Sequence, residues 1–206
     1  LEEFLKRFPN DARSWDKLGA IYARSGQLQR GLQALEKAVA VNPNYSEAQY
    51  DLGVAYMRAN QPVKAELSFH RAHGLDPGNL QYKLMLDLAA LRNGRPGDPV
   101  RILEDYLEQE PNDAGAQINL GTAYLQRGNL TPAINRFREA SRADPDNALA
   151  FRNLGLAFLL EGSTLKSIKA LERSSRLAPQ DTVTLLALAD AYNRIDRKDS
   201  AKDMLM

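Results

Sequence analysis

Imidazole is both a common metal ligand and the usual proton carrier near neutral pH, so the chain's two histidines are the first candidates for chemistry. His70 and His73 stand three residues apart, which places them on one helical face, with Glu66 about one turn earlier. Two imidazoles and a carboxylate could touch a divalent cation, but a closed tetrahedral site needs a fourth ligand and the sequence offers none nearby. The pair therefore reads as solvated or partly packed histidines, and no metal site is expected. There is no glycine-rich phosphate loop, no G-x-S-x-G elbow and no H-E-x-x-H. Without cysteine there is no thiol nucleophile or disulfide framework. Carboxylate pairs such as Glu2–Glu3 fall on helix surfaces, where charge serves solvation. The expectation is a chain with no catalytic residue, no cofactor and no metal.

Residues suited to holding another chain are easier to find. Arg24, Arg58 and Arg92 recur at a constant spacing, and Arg194 falls in the same slot further on. A guanidinium there either complements a helix C-terminus or grips the acidic side chains of a bound peptide. Asn119 and Asn153 share a second slot, with Arg152 beside the latter. A carboxamide donates and accepts at once, so paired asparagines could hold a peptide backbone without reading its sequence.

Composition narrows the class. The 206 residues carry 27 Lys and Arg against 26 Asp and Glu, a formal charge of +1, which argues against a nucleic-acid binder held by bulk charge. Hydrophobic residues make up 44% and charged residues 26%, too apolar for a disordered chain. No apolar run is long enough to span a bilayer, so direct membrane insertion is not expected. The lack of cysteine suits cytoplasm and periplasm alike, with a soluble cytoplasmic location slightly favoured. The chain opens Leu1-Glu2-Glu3-Phe4-Leu5 without an initiator Met or a signal-peptide core, and it closes at Leu205-Met206 inside an apparent helix. These ends read as those of an excised fragment.

Elements to position such residues follow from an internal repeat. Prolines fall at 9, 43, 77, 111, 145 and 179, at intervals of 34 with no insertion or deletion. Seventeen residues before each of the last five prolines, and again at the end of the chain, stand Gly26, Asn60, Gly94, Gly128, Gly162 and Asp196. These types tolerate the left-handed backbone that ends many helices. After the prolines come the prospective N-caps Asp11, Asn79, Asp113, Asn147 and Asp181, a column that Tyr45 breaks. Trp15, Leu18, Gly19 and Tyr22, then Leu28, Leu32, Leu35 and Val39, recur at helical intervals. Mid-helix Gly19, Gly53, Gly121 and Gly155 cost about 1 kcal/mol each relative to Ala, which makes sense where a neighbouring helix approaches closely. Ala65, Ala133 and Ala201 leave matching room on the facing helix.

The stretch Trp15-x2-Leu18-Gly19-x2-Tyr22 resembles the W-x2-L-G-x2-Y signature of tetratricopeptide (TPR) repeats. Leu52-Gly53-x2-Tyr56 with Ala65-x3-Phe69, and Leu120-Gly121-x2-Tyr124 with Ala133-x3-Phe137, repeat it, and Leu154-Gly155-x2-Phe158 is a variant. The resemblance implies an all-α fold, a right-handed superhelical solenoid of antiparallel helix pairs, forming one domain over 1–206. Its parts would be a leading half-helix at 1–8, repeats at about 12–45, 46–79, 80–113, 114–147 and 148–181, and a partial repeat at 182–206. It also implies that the first helix of each pair lines a concave groove for a peptide or partner protein. In that register Arg24, Tyr50, Arg58, Leu84, Met85, Leu88, Arg92, Ile118, Asn119, Leu125, Arg152, Asn153 and Leu156 face the groove. Arg13, Asp16, Lys17, Glu47 and Asp51 give its first two repeats a polar lining. From the third repeat onward the lining turns apolar, adding Leu149, Leu159, Leu160, Val183 and Leu186, which reads either as a partly exposed partner site or, for some of these side chains, as core between packed first helices. The carboxylate-clamp set that some co-chaperone repeats use is not matched, because Asp16, Ala20 and Asp51 stand where the clamp needs basic and amide groups.

The third repeat departs from the pattern, with Asp87, Ala90, Pro99 and Tyr106 where its neighbours carry Gly, Tyr, Ala and Ala. The run Gly94-Arg95-Pro96-Gly97-Asp98-Pro99 predicts a second helix that starts late, at Pro99, and runs short. Either the repeat has drifted, with Tyr106 filling space left by the missing aromatic, or a local kink there bends the solenoid or makes a docking site. The functional expectation is a non-catalytic protein-interaction scaffold. The alternatives are a recruitment arm of a larger glycosyltransferase or polysaccharide-export machine, and a self-assembling scaffold that makes a homo-oligomer.

Overall fold

The computed structural model describes residues 1–197, 200 and 201. The described residues form twelve α-helices and no strand: α1 (Glu2–Arg7), α2 (Ala12–Arg24), α3 (Leu28–Val41), α4 (Ser46–Arg58), α5 (Pro62–Leu75), α6 (Leu80–Arg92), α7 (Pro99–Leu107), α8 (Ala114–Gln126), α9 (Leu130–Ala143), α10 (Ala148–Glu161), α11 (Thr164–Leu177) and α12 (Thr182–Asn193). The even-numbered helices from α2 to α12 begin at 12, 46, 80, 114, 148 and 182, so the proline spacing sets the start of every first helix.

The turn residues behave as their types predict. Gly26, Asn60, Gly94, Gly128, Gly162 and Asp196 all carry positive φ, between 55° and 82°. This left-handed step reverses the chain within two or three residues and lays the second helix back along the first. Asn79, Asp113 and Asn147 accept backbone amides as N-caps. Asp11 and Asp181 occupy the cap position without a side-chain bond to the helix amides. Asp11 accepts from Ser14 Oγ instead, and Asp181 from Thr184 Oγ1.

Helix pairs close over the glycines. A Cβ on Gly53 would stand 2.6 Å from Phe69 Cε1, and one on Gly121 would stand 2.6 Å from Phe137 Cε1. Gly19 faces Leu35 and Gly155 faces Leu171 in the same way. Ala65 of α5 and Ala133 of α9 are buried on the opposing helices, and Ala201 is buried as well.

The chain divides into two compact units, Leu1–Asp98 and Pro99–Met206, and the division falls in the Pro- and Gly-rich stretch of the third repeat. The first unit holds α1 to α6. Its core runs from Leu32 and Leu35 through Leu52, Tyr56 and Phe69 to Ala89, with a smaller cluster of Leu5, Leu18 and Ala34 beneath α1. The second unit holds α7 to α12, with one cluster around Ile134, Phe137, Leu154 and Phe158 and another around Ile168, Leu171, Leu188 and Tyr192. Helix α7 begins at Pro99 and has 9 residues where the other second helices have 14. Tyr106 is buried, and its hydroxyl donates to Asp113 Oδ2 at 2.8 Å, which ties α7 to the start of α8.

A hydrogen bond that recurs at a separation of 20 residues stitches second helices to the first helices that follow them. Tyr56 donates to Glu36, Tyr124 to Glu104 and Tyr192 to Glu172. Burial, then the Glu36 carboxylate, pushes the Tyr56 hydroxyl up to about 12, so it stays a donor at any ordinary pH.

Candidate functional site

In the first unit, the face of α2 and α4 that the repeat register turns toward the groove carries a cleft of about 300 Å³. Ala20, Val54 and Ala55 line it, and Arg24, Arg58 and Asp51 supply its charge. Arg58 Nη1 reaches Ala23 O at 3.5 Å, and Arg194 Nη1 reaches Leu159 O at 3.4 Å in the second unit. Each of these arginines thus lies against a carbonyl near the C-terminus of the preceding first helix, which also suits the negative end of that helix dipole. Arg92 is exposed.

Next to the cleft stands a carboxylate group whose mutual field the residue types alone did not reveal. Burial raises the Asp16 pKa to about 6, and Asp51 and Glu47 push it in the same direction against the Tyr45 hydroxyl and Lys17. Asp16 is 8% exposed, and its Oδ1 has no hydrogen-bond partner. Asp51 is raised chiefly by burial and by Glu47, with the Arg24 charge pulling the other way.

The position that Asp16 occupies recurs as Tyr50, Leu84, Ile118, Arg152 and Leu186. Tyr50, Ile118 and Arg152 reach toward the next first helix, and that corrects part of the expected groove lining. Tyr50 is half-buried and stacks on Tyr82 of α6 and Phe69 of α5, with centroids 5.1 and 5.7 Å apart. Leu84 and Ile118, expected as a partly exposed apolar wall, are 5% and 6% exposed. Ile118 packs in one cluster with Phe137, Ala150 and Leu154. Arg152 Nη1 bonds Asp181 Oδ2 at 3.0 Å across two partly buried side chains, tying α10 to the start of α12. Burial alone would raise the Asp181 pKa, but the bonds from Thr184 and Arg152 outweigh it and hold the carboxyl below its ordinary value. Met85, Leu125 and Leu156 are half-buried against the neighbouring clusters, and Leu88 is half-buried as well.

Apart from Ile21 on α2, the large apolar side chains left open on first helices lie in the second unit. Leu149 and Leu160 of α10 and Val183 and Leu186 of α12 are all exposed, Leu160 to 70%. Helices α10 and α12 pack side by side, as do α8 and α10. Asn119 is exposed and Asn153 half-buried, and neither amide bonds to another described residue. The second unit therefore offers free amides beside open leucines, whereas the first offers a charged cleft.

The histidines do not assemble a site. His70 is exposed and His73 half-buried, while Glu66 is held by Arg95 at 2.7 Å and by Asn93. Among the described residues no group of three or more His, Cys, Asp or Glu side chains is placed to hold a metal ion. No helix of the described residues is long and apolar enough to cross a membrane.

Three family models match: a tetratricopeptide repeat over residues 22–88, a second tetratricopeptide repeat over 84–134, and a TPR repeat over 121–162. The chain is similar to a chain of the APC/C hetero-tetramer Cut9–Hcn1, at 19% identity and a TM-score of 0.79 over 99% of this chain and 41% of that one. It is similar to PilF of Pseudomonas aeruginosa at 17% identity and a TM-score of 0.70, over 94% of this chain and 88% of that one. A thermophilic TPR protein of Thermus thermophilus is similar at 18% identity and a TM-score of 0.75, over 88% and 99% of the two chains. At these identities the likeness is one of fold, and the chain spans less than half the length of the Cut9–Hcn1 chain that it matches. No curated protein sequence matches the chain. With contiguous repeat matches from 22 to 162 and the helix-pair geometry seen here, the chain belongs to the tetratricopeptide-repeat family, whose fold serves as a scaffold for protein–protein interaction.

Proposed function

We propose that the chain is a non-catalytic scaffold that holds an extended peptide or partner protein along the groove face of its first helices. The observation that carries this reading is the pairing of unengaged amides with open apolar side chains on adjacent helices of the second unit. Asn119 and Asn153 leave donors and acceptors unused, while Leu149, Leu160, Val183 and Leu186 keep large apolar surfaces in water. A bound chain satisfies both at once, its backbone on the amides and its side chains on the leucines. In the first unit Arg24 and Arg58 present cationic groups at the cleft, with Arg92 exposed on the next first helix, so these repeats suit the acidic positions of the same kind of ligand.

The test is selection of twelve-residue peptides from a display library on the full chain, followed by titration of the winners against Asn119→Ala/Asn153→Ala/Leu186→Ser. All three side chains lie outside the buried core, so helical circular dichroism should be unchanged. The winners should bind this variant about tenfold or more weakly. Peptides that bind variant and unchanged chain equally would overturn the groove reading.

A further inference from the structure

A second cleft of about 400 Å³ lies between α10 and α11, on the side of α10 turned away from the groove residues. At 100° per residue, Phe151, Leu154 and Phe158 share one face of α10, and Leu149, Asn153, Leu156 and Leu160 share the opposite one. The first three side chains form the apolar floor of this cleft.

Its rim is cationic. Lys166, Lys169, Arg173 and Arg176 follow one another along one face of α11, a row about 15 Å long at 1.5 Å rise per residue. Lys166 sits over the Phe158 ring at 5.6 Å and Arg173 over the Phe151 ring at 5.8 Å. Arg173 also bonds Asp146 Oδ1 at 3.1 Å. Lys166, Lys169 and Arg176 make no ion pair with any described residue. On a chain whose net charge is only +1, three uncompensated cations in one row around an apolar slot are a local feature and not part of a general basic surface.

The repeat pattern departs from its neighbours at the adjoining seam between α9 and α10, which shares Phe158 with the cleft. At three other seams a Tyr hydroxyl donates to a Glu 20 residues earlier. At this seam the pair is Phe158 and Arg138, so the aromatic has no hydroxyl to donate and the acceptor is replaced by another cation. The Arg138 guanidinium donates to the Asn135 side chain. Where other seams carry a tyrosine hydroxyl, this one thus presents the bare Phe158 ring, which also forms part of the cleft floor.

The geometry points to a docking site for an acidic peptide segment that carries one large apolar side chain. The apolar residue would enter the slot over Phe151 and Phe158, and its flanking carboxylates would pair with Lys166, Lys169 and Arg176, where guanidinium and ammonium donors form charge-assisted bonds. The charge complement is a carboxylate-rich chain. A recessed slot beside a single row of cations fits a short peptide better than the flat face of a membrane, which draws on basic groups spread across a surface.

The experiment uses the same peptide library on the full chain, with a second variant, Lys169→Glu/Arg176→Glu. Both side chains are exposed on α11, and circular dichroism checks that the helices persist. The inference expects a class of peptides rich in Asp and Glu around one Leu, Phe or Trp. That class should bind the charge-reversed variant at least about tenfold more weakly, weaken with added salt, and bind the Asn119→Ala/Asn153→Ala/Leu186→Ser variant unchanged. Phe151→Ser should weaken the same class. The inference is overturned if no acidic class is enriched, if the enriched class binds the charge-reversed variant equally, or if phosphatidylserine vesicles bind through Lys169 and Arg176 while acidic peptides do not. Because the two variants alter opposite faces of the repeats, failure here and failure of the groove reading give different results.

Discussion

Replacing Gly53 with Ala tests the claim that the repeat's mid-helix glycine exists to admit the aromatic of the facing helix. The added Cβ would stand 2.6 Å from Phe69 Cε1, 2.7 Å from Cδ1 and 2.9 Å from Cζ. Carbon atoms in contact prefer about 3.5–4.0 Å, so the ring must withdraw by about 1 Å. Phe69 is 0% exposed and already stacks against Tyr50, so it has no free direction of retreat. Overpacking of this kind costs about 1–3 kcal/mol, while Gly→Ala in a helix returns about 1 kcal/mol of propensity. With no room for the ring to retreat, the cost falls in the upper part of that range, about 2–3 kcal/mol, and leaves a net loss of about 1–2 kcal/mol. Gly74, near the end of α5, is the control, since nothing lies within 4 Å of a Cβ there. Gly74→Ala keeps only the propensity gain and should stabilise by about 0.5 kcal/mol. Urea unfolding followed at 222 nm reads both as shifts of midpoint with an unchanged slope. Phe69→Ala, which removes the opposing ring, should make Gly53→Ala far less costly in that background. A Gly53→Ala protein as stable as the unchanged one, or one equally destabilised with and without Phe69, would refute the close-approach reasoning.

Two carboxylates should respond to pH in opposite senses. Asp16 has its pKa raised from 3.8 to about 6, so the folded state holds that proton more tightly; the corresponding stability is complete below pH 3.8 and is lost as pH rises through about 6. Asp16→Asn should therefore be more stable than the unchanged chain at pH 7.5, with the difference closing below about pH 4, as urea midpoints at several pH values would show. Asp181 is lowered, so its contribution is present above pH 3.8 and is lost as pH falls through its depressed value. Arg152→Ala should cost about 1 kcal/mol at pH 7 and progressively less on acidification, whereas a constant cost across that range would mean that the ion pair contributes nothing.

Much of the fold was legible because the repeat imposes the same geometric demand at the same slot. Six residues predicted to tolerate a left-handed backbone adopt it, Asn60 and Asp196 included, since the two-residue reversal leaves no other conformation. The late start of α7 at Pro99 followed from the ring that fixes φ and removes a donor. The candidate lining was legible in register and not in exposure. Whether a leucine is a wall or a core residue depends on the size of what lies across the next seam, and one helix's periodicity carries no such information. Ile118 sinks into the cluster around Phe137, while Leu186, in the same column, stays exposed. The Asp16 group escaped notice for the same reason, because its raised pKa arises from burial in the packed repeats and from Asp51 and Glu47 on a neighbouring helix. The Tyr–Glu bonds did have a sequence signal, a Glu 20 residues before a Tyr at 36 and 56, 104 and 124, and 172 and 192.

Those bonds have a consequence for how the array responds to cold. In a linear chain of repeats, cooperativity is set by the coupling between neighbours. Where a tyrosine hydroxyl bridges the seam, part of that coupling is hydrogen-bond enthalpy, about 1 kcal/mol. Between α9 and α10, where Phe158 and Arg138 stand in its place, the coupling rests chiefly on the apolar cluster of Ile134, Phe137, Leu154 and Phe158. Apolar burial loses its driving force on cooling and hydrogen bonding does not. As the temperature falls, the seam beside the basic cleft weakens relative to its bridged neighbours, so low temperature, more than heat, uncouples the fourth repeat from the fifth.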